Sequence, residues 1–205
     1  MTAPPKLPGD RGHLGRLLET WARESEEQVT AGRLRRLVGV MAIIQMLDGL
    51  KDAKGQERIA FKGGAAMELR FGFRARASKD LDGAYRGEVI EAIALIDERV
   101  REGWSGFTGR TTGGEPIAGT GLVPPPIRFQ VKLLYKKKDF VTIPMELSPA
   151  EGHSIDRIEL LPAAMSLKPV QLAEAEVIPF LPIAYQVAQK LHACTEDTGD
   201  DRSNQ

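Results

Sequence analysis

The stretch Phe61-Lys-Gly-Gly-Ala-Ala-Met-Glu-Leu-Arg-Phe-Gly72, continued by Arg76-Ala-Ser-Lys-Asp-Leu-Asp82, decides how the rest of the chain is read. Arg58 to Lys62 predicts a short strand, Gly63 and Gly64 a turn, Ala65 to Phe71 a helix, and Asp80 to Tyr85 the next strand. Two glycines between strand and helix let the backbone turn tightly and bring its amides close to a ligand. The helix start behind them offers free N–H groups and the favourable end of a dipole, which suits phosphate. Asp80 and Asp82 stand two apart on a predicted strand, so their carboxylates face one side while Leu81 faces the core. Hard oxygen donors on one face suit Mg²⁺ or Mn²⁺, and a pair of acids can bridge two ions about 4 Å apart.

Upstream, residues 13–52 predict N-terminal helices. Leu14, Leu17, Leu18 and Trp21 recur at helical spacing, as do Leu34, Leu37, Met41, Ile44 and Leu47, with a break expected at Ala31-Gly32. Residues 1–12, rich in Pro and Gly, read as a disordered arm. Downstream, residues 53–181 form the expected core. Glu88 to Glu102 is an amphipathic helix, Trp104 to Arg110 a strand, and Thr111 to Pro126 an irregular loop or elaborated hairpin. Two strands follow, Ile127 to Tyr135 and Asp139 to Ser148, joined by the turn Lys136-Lys-Lys138. After an irregular middle, residues 182–205 hold a helix opened by Pro182 and a polar tail. The expected class is α+β, with N-terminal helices ahead of a core built on a mixed sheet.

A third acid follows from alternation. With Val141, Ile143, Met145 and Leu147 on the buried face of their strand, Thr142 and Glu146 project to the other. Burying an unpaired carboxylate is costly, so Glu146 is not core filler. The composition narrows the chemistry further. Among 205 residues, 28 are basic and 28 acidic, 42% are apolar, and Cys194 is the only cysteine. That excludes an intramolecular disulfide framework and a multi-cysteine zinc site, leaving oxygen donors for any metal. The N-terminus has no apolar secretory core, and Leu37 to Leu50 is too short to span a bilayer, so a cytoplasmic location is expected. Net charge is zero, yet Arg58, Lys62, Arg70, Arg74, Arg76 and Lys79 surround one acid, Glu68. Arg128, Lys132 and Lys136 to Lys138 form a second basic set, which makes a polyanionic acceptor reasonable.

The two quoted motifs resemble the AbiEii/AbiGii nucleotidyltransferase toxins of type IV toxin–antitoxin systems, within the DNA polymerase β-like superfamily. That signature is a Gly-Gly-Thr-Ala-Leu helix start followed by Arg-x-Ser-x-Asp-hydrophobic-Asp, with Ala65 here in place of the threonine. The resemblance spans roughly residues 33–195 and implies a polymerase β-like nucleotidyltransferase core. It implies Asp80, Asp82 and Glu146 as acids for Mg²⁺ or Mn²⁺, and Lys190 on the last helix as a phosphate contact. Gly63, Gly64, Ser78 and Lys79 would then line the NTP site. The implied reaction transfers a nucleotide from an NTP to an RNA, with a tRNA 3′ end as acceptor, in a protein paired with an antitoxin. Two rivals share the acids: transfer to a protein hydroxyl, and a non-catalytic nucleotide- or RNA-binding relative. The family continues into a helical C-terminal domain, which is expected to be absent from a chain ending at Gln205.

Overall fold

Two capping side chains start the N-terminal helices in the computed structural model, which describes residues 6–118 and 124–195. The Asp10 carboxylate accepts from the His13 amide at 2.8 Å and opens α1, Arg11–Glu24; the Thr30 hydroxyl accepts from the Arg33 amide at 3.2 Å and opens α2, Ala31–Met46. The expected break at Ala31-Gly32 is therefore the start of α2, and the connection is residues 25–30. The expected arm is also shorter among the described residues. Helix begins at Arg11, and the Pro8 carbonyl accepts from the buried Tyr135 hydroxyl at 2.9 Å.

The core is a seven-stranded mixed sheet. Its strands are β1 (Ile59–Lys62), β2 (Leu81–Tyr85), β3 (Phe107–Pro116), β4 (Ile127–Tyr135), β5 (Lys138–Pro149), β6 (Glu159–Leu161) and β7 (Ile178–Phe180), in spatial order β3-β4-β5-β2-β1-β7-β6. β2 runs parallel to β5 and β1 parallel to β7; the remaining neighbours are antiparallel. Helix α3, Gly63–Phe71, lies between β1 and β2; α4, Val89–Glu102, follows β2; and α5, Ile183–Thr195, follows β7. The α+β class with a mixed sheet is as expected. Of the two expectations for the stretch from Thr111, the hairpin holds as far as Pro116, since the residues to that point ladder with β4. The irregular middle contains β6 and β7, which complete the far edge of the sheet. The polar tail, residues 196–205, and residues 119–123 lie outside the described residues.

One face of the sheet carries the main core. On β4 the residues Ile127, Phe129, Val131, Leu133 and Tyr135 are all buried, as the alternation predicted. On β5 a bulge opposite Leu133 and Leu134 inserts an extra residue. Phe140 is consequently buried and Val141, expected in the core, is half-buried against α2. There α2 comes so close that a Cβ on Gly39 would lie 2.6 Å from Val141 Cγ1. Helix α4 is tied to β3 by Asp97, whose carboxylate accepts from the amide and hydroxyl of Thr111 at 2.7 and 3.0 Å. On the opposite face, Tyr185 of α5 packs with Ala60, Leu181 and Ile155 in a small second cluster. Among the described residues no helix is long and apolar enough to cross a membrane.

Candidate active site

Strand register lines up four charged residues. Lys62 on β1 pairs with Asp82 on β2, Asp82 with Glu146 on β5, and Glu146 with Arg128 on β4. Directly paired residues share a sheet face, so the row Lys62–Asp82–Glu146–Arg128 crosses the side away from the main core. Leu81, beside Asp82, is 0% exposed, as the alternation required. Pro144 lies one residue before the first β2 partner of β5, Met145, so its missing N–H leaves no gap in the β2 ladder.

The glycine turn meets this row directly. Gly63 has φ +70°, and a Cβ placed on it would fall 1.9 Å from Asp82 Oδ2, so only glycine fits. A Cβ on Gly64 would lie 2.7 Å from Ser78 Oγ. The carboxylate, the hydroxyl and the N-terminus of α3 thus share one small space. Ser78 Oγ donates to Asp80 Oδ1 at 2.8 Å, and the Gly63 amide donates to Gln186 Oε1 of α5 at 3.0 Å.

The electrostatics follow from this crowding. Burial, then the Asp80 and Glu146 charges, push the Asp82 carboxyl up to about 6, with Lys62 and Lys190 acting the other way. Burial pulls the Lys62 ammonium down, opposed by Glu151, Asp82 and Glu146, while Lys190 adds to the lowering. Lys190 is exposed on α5, but its charge is felt at both groups. Glu146 is held by Arg128, whose Nε donates to Oε1 at 2.7 Å. Lys79 is exposed on the segment leading into β2.

The structure therefore brings Asp80, Asp82, Glu146, Gly63, Gly64, Ser78 and Lys190 to one site. Among the described residues, no three His, Cys, Asp or Glu side chains stand gathered as a metal-binding cluster. Glu146 faces a guanidinium and Asp80 a hydroxyl. The donor chemistry nonetheless fits a hard divalent ion: Asp80, Asp82 and Glu146 are oxygen donors, and Asp82, raised first by burial and then by the Asp80 and Glu146 charges, holds a carboxylate whose cost a cation would relieve. Three participants escaped the sequence reading: Lys62 as part of the row, Arg128 as partner of Glu146, and Gln186 on the glycine turn. Alternation signalled the first two; Gln186 had no signal. The basic sets are also less free than their counts suggested. Arg70 pairs with Glu159 and lies 4.7 Å over the Phe180 ring, and Lys132 pairs with Asp139 at 3.3 Å. Arg74, Arg76, Lys79 and Lys136 to Lys138 remain exposed.

The sequence profile of the family described as nucleotidyl transferase AbiEii toxin, type IV toxin–antitoxin system, matches residues 45–204. Among solved structures, the fold is similar to the MenT4 nucleotidyltransferase toxin from Mycobacterium tuberculosis, with a TM-score of 0.57 at 19% identity. That similarity covers 87% of this chain and 58% of the other, so the chain spans little more than half of its structural neighbour. No curated protein sequence matches.

Proposed function

The chain belongs to the AbiEii nucleotidyltransferase toxin family, and from that premise we propose that it transfers a nucleoside monophosphate from an NTP to RNA. The acceptor hydroxyl attacks the α-phosphate, the bond to the bridging oxygen breaks, and pyrophosphate leaves. The proposed acceptor is a tRNA 3′ end, so that the product blocks translation in the cytoplasm until a cognate antitoxin intervenes. The observation that carries this reading is the contact of Asp82 with Gly63, which joins the carboxylate row to a phosphate-binding helix start.

Each side chain has a task on this reading. The amides of Gly63 and Gly64 and the α3 N-terminus bind the β/γ phosphates, the Gly63 N–H passing from Gln186 to phosphate oxygen. Lys62 and Lys190 add positive charge beside that position, and Lys79 supplies a further donor at its rim. Ser78 orients Asp80 through its hydroxyl. Mg²⁺ or Mn²⁺ would be held by Asp80, Asp82 and Glu146, and would neutralise triphosphate charge and favour ionisation of the acceptor hydroxyl. Positioning and charge neutralisation supply the rate, with no covalent enzyme intermediate. The exposed Arg74 and Arg76, and at the far end of the β4–β5 ladder the exposed turn Lys136 to Lys138, offer positive charge to a polyanionic acceptor long enough to reach both.

Incubation with Mg²⁺, total tRNA and each α-labelled NTP in turn, with Asp80→Ala as control, tests the proposal. Label on tRNA that Asp80→Ala abolishes is expected. Label on protein would select transfer to a protein hydroxyl, and no label with any NTP would select a non-catalytic nucleotide- or RNA-binding relative.

A further inference from the structure

Glu68 of α3 is, among the described residues, the only charged side chain buried completely. It faces no solvent and touches neither the glycine turn nor the acids. Its Oε1 accepts from Arg33 Nε at 2.5 Å and its Oε2 from Arg36 Nη2 at 2.9 Å, both arginines coming from α2. The same Oε2 accepts from the backbone amide of Ser78 at 3.3 Å. Arg33 also reaches the connection between α3 and β2, its Nη2 donating to the Phe73 carbonyl at 3.2 Å and the Ala75 carbonyl at 2.6 Å. One carboxylate and one guanidinium fork thus hold three points of the connection from α3 to β2, two of them, Ala75 and Ser78, in the stretch to Asp80 that lacks helix or strand.

We propose that Glu68, set by Arg33 and Arg36, is a positioning residue that fixes Ser78 and, through the Ser78 hydroxyl, the carboxylate of Asp80. A buried ion pair is weak as a stabilising device, because desolvating the charges offsets much of their attraction. Apolar side chains replacing Glu68 together with both arginines would fill the same space at similar stability. What an apolar side chain cannot do is hold the Ser78 amide. The hydroxyl that Glu68 places by way of that amide is the one filling the space beside Gly64 and donating to Asp80 Oδ1 at 2.8 Å. Arg33 and Arg36 lie before residue 45, where the family match begins, so α2 supports Ser78 from outside the matched span. The inference rests on the proposed role of Asp80 as a metal-binding acid.

The experiment uses Mn²⁺ alone as probe. Its affinity is measured by calorimetry on the full chain, wild type, Glu68→Gln, Ser78→Ala and the double variant, together with amide exchange over residues 73–80. Arg33→Lys, which keeps a charge beside Glu68 but withdraws the fork from Phe73 and Ala75, carries the test if Glu68→Gln fails to fold. The expected result is a loss of Mn²⁺ affinity of about tenfold in Glu68→Gln, a similar loss in Ser78→Ala, and no further loss in the double variant. Exchange over 73–80 rises while β3 and α4 stay protected. Mn²⁺ affinity within twofold of wild type in a folded Glu68→Gln or Arg33→Lys protein overturns the inference, as does a simple sum of losses in the double variant. A wild type that binds no Mn²⁺ overturns the metal role of the acids instead, and the positioning role then stands or falls on the exchange over 73–80.

Discussion

Asp82 is a partly buried carboxyl that feels the charges of Asp80 and Glu146, and its raised pKa has a consequence for stability. The folded carboxyl titrates at about 6 against 3.8 when free, so between those values the native chain holds a proton that the unfolded chain has lost. Its contribution is complete below the unfolded value and disappears as pH rises through the folded one. Across that window metal-free protein should lose up to about 3 kcal/mol relative to Asp82→Asn. In chelator, Tm of wild type should fall from pH 4 to pH 7 relative to the variant, and Mg²⁺ at pH 7 should restore wild type alone. Parallel pH profiles would show that burial and the neighbouring carboxylates do not raise Asp82. At Gly63 the prediction is simpler. Alanine meets both a positive φ and the Asp82 oxygen, so Gly63→Ala should cost about 1–3 kcal/mol and weaken Mn²⁺ binding, read from denaturant midpoints and calorimetry. Both residues were legible in the chain itself, one from the strand–glycine–helix pattern, the other from its spacing to Asp80. Glu68 was visible only as a lone acid among bases, because its partners come from a helix more than thirty residues upstream.

At the scale of elements, α2 packs closely against β5. Leucine would be the better helix former at position 39, yet its Cβ would already be 2.6 Å from a branched side chain that rotates poorly. Gly39→Leu should therefore destabilise the protein by about 2 kcal/mol or more through overpacking, measured by chemical denaturation. A gain in stability would mean that α2 does not lie on β5. The alternating strands β4 and β5, the latter interrupted by its bulge at Phe140, were readable at nearly their true limits, since each pairs along its length with a neighbour and buries one face. β6 and β7 were not. Three residues each, and with Pro179 inside β7, they carry no period of their own and exist because β1 offers an open edge to Ile178–Phe180. The Gly-rich end of β3 likewise became strand through its ladder with β4 rather than through propensity.

For the whole molecule, the balanced charge conceals an uneven surface. Lys136 and Lys137 form the β4–β5 turn with φ of +45° and +66°, a conformation for which Asn-Gly is the favoured pair. Lys136→Asn with Lys137→Gly should therefore stabilise the hairpin by about 1 kcal/mol while removing two charges. On the proposed function it should also lower labelling of tRNA and flatten its salt dependence, seen by titrating KCl. Unchanged labelling would place the acceptor elsewhere. The row Lys62–Asp82–Glu146–Arg128 was beyond the sequence because it depends on which strands become neighbours; alternation could assign faces but not register. The account as a whole stands on that row and the glycine turn forming one nucleotide site. The most direct measurement is a crystal structure with Mn²⁺ and a non-hydrolysable NTP. It should show anomalous density at Asp80 and Asp82, and β/γ phosphates on the Gly63 and Gly64 amides in place of Gln186. A nucleotide bound away from the α3 N-terminus, or Mn²⁺ absent from both aspartates, would contradict it.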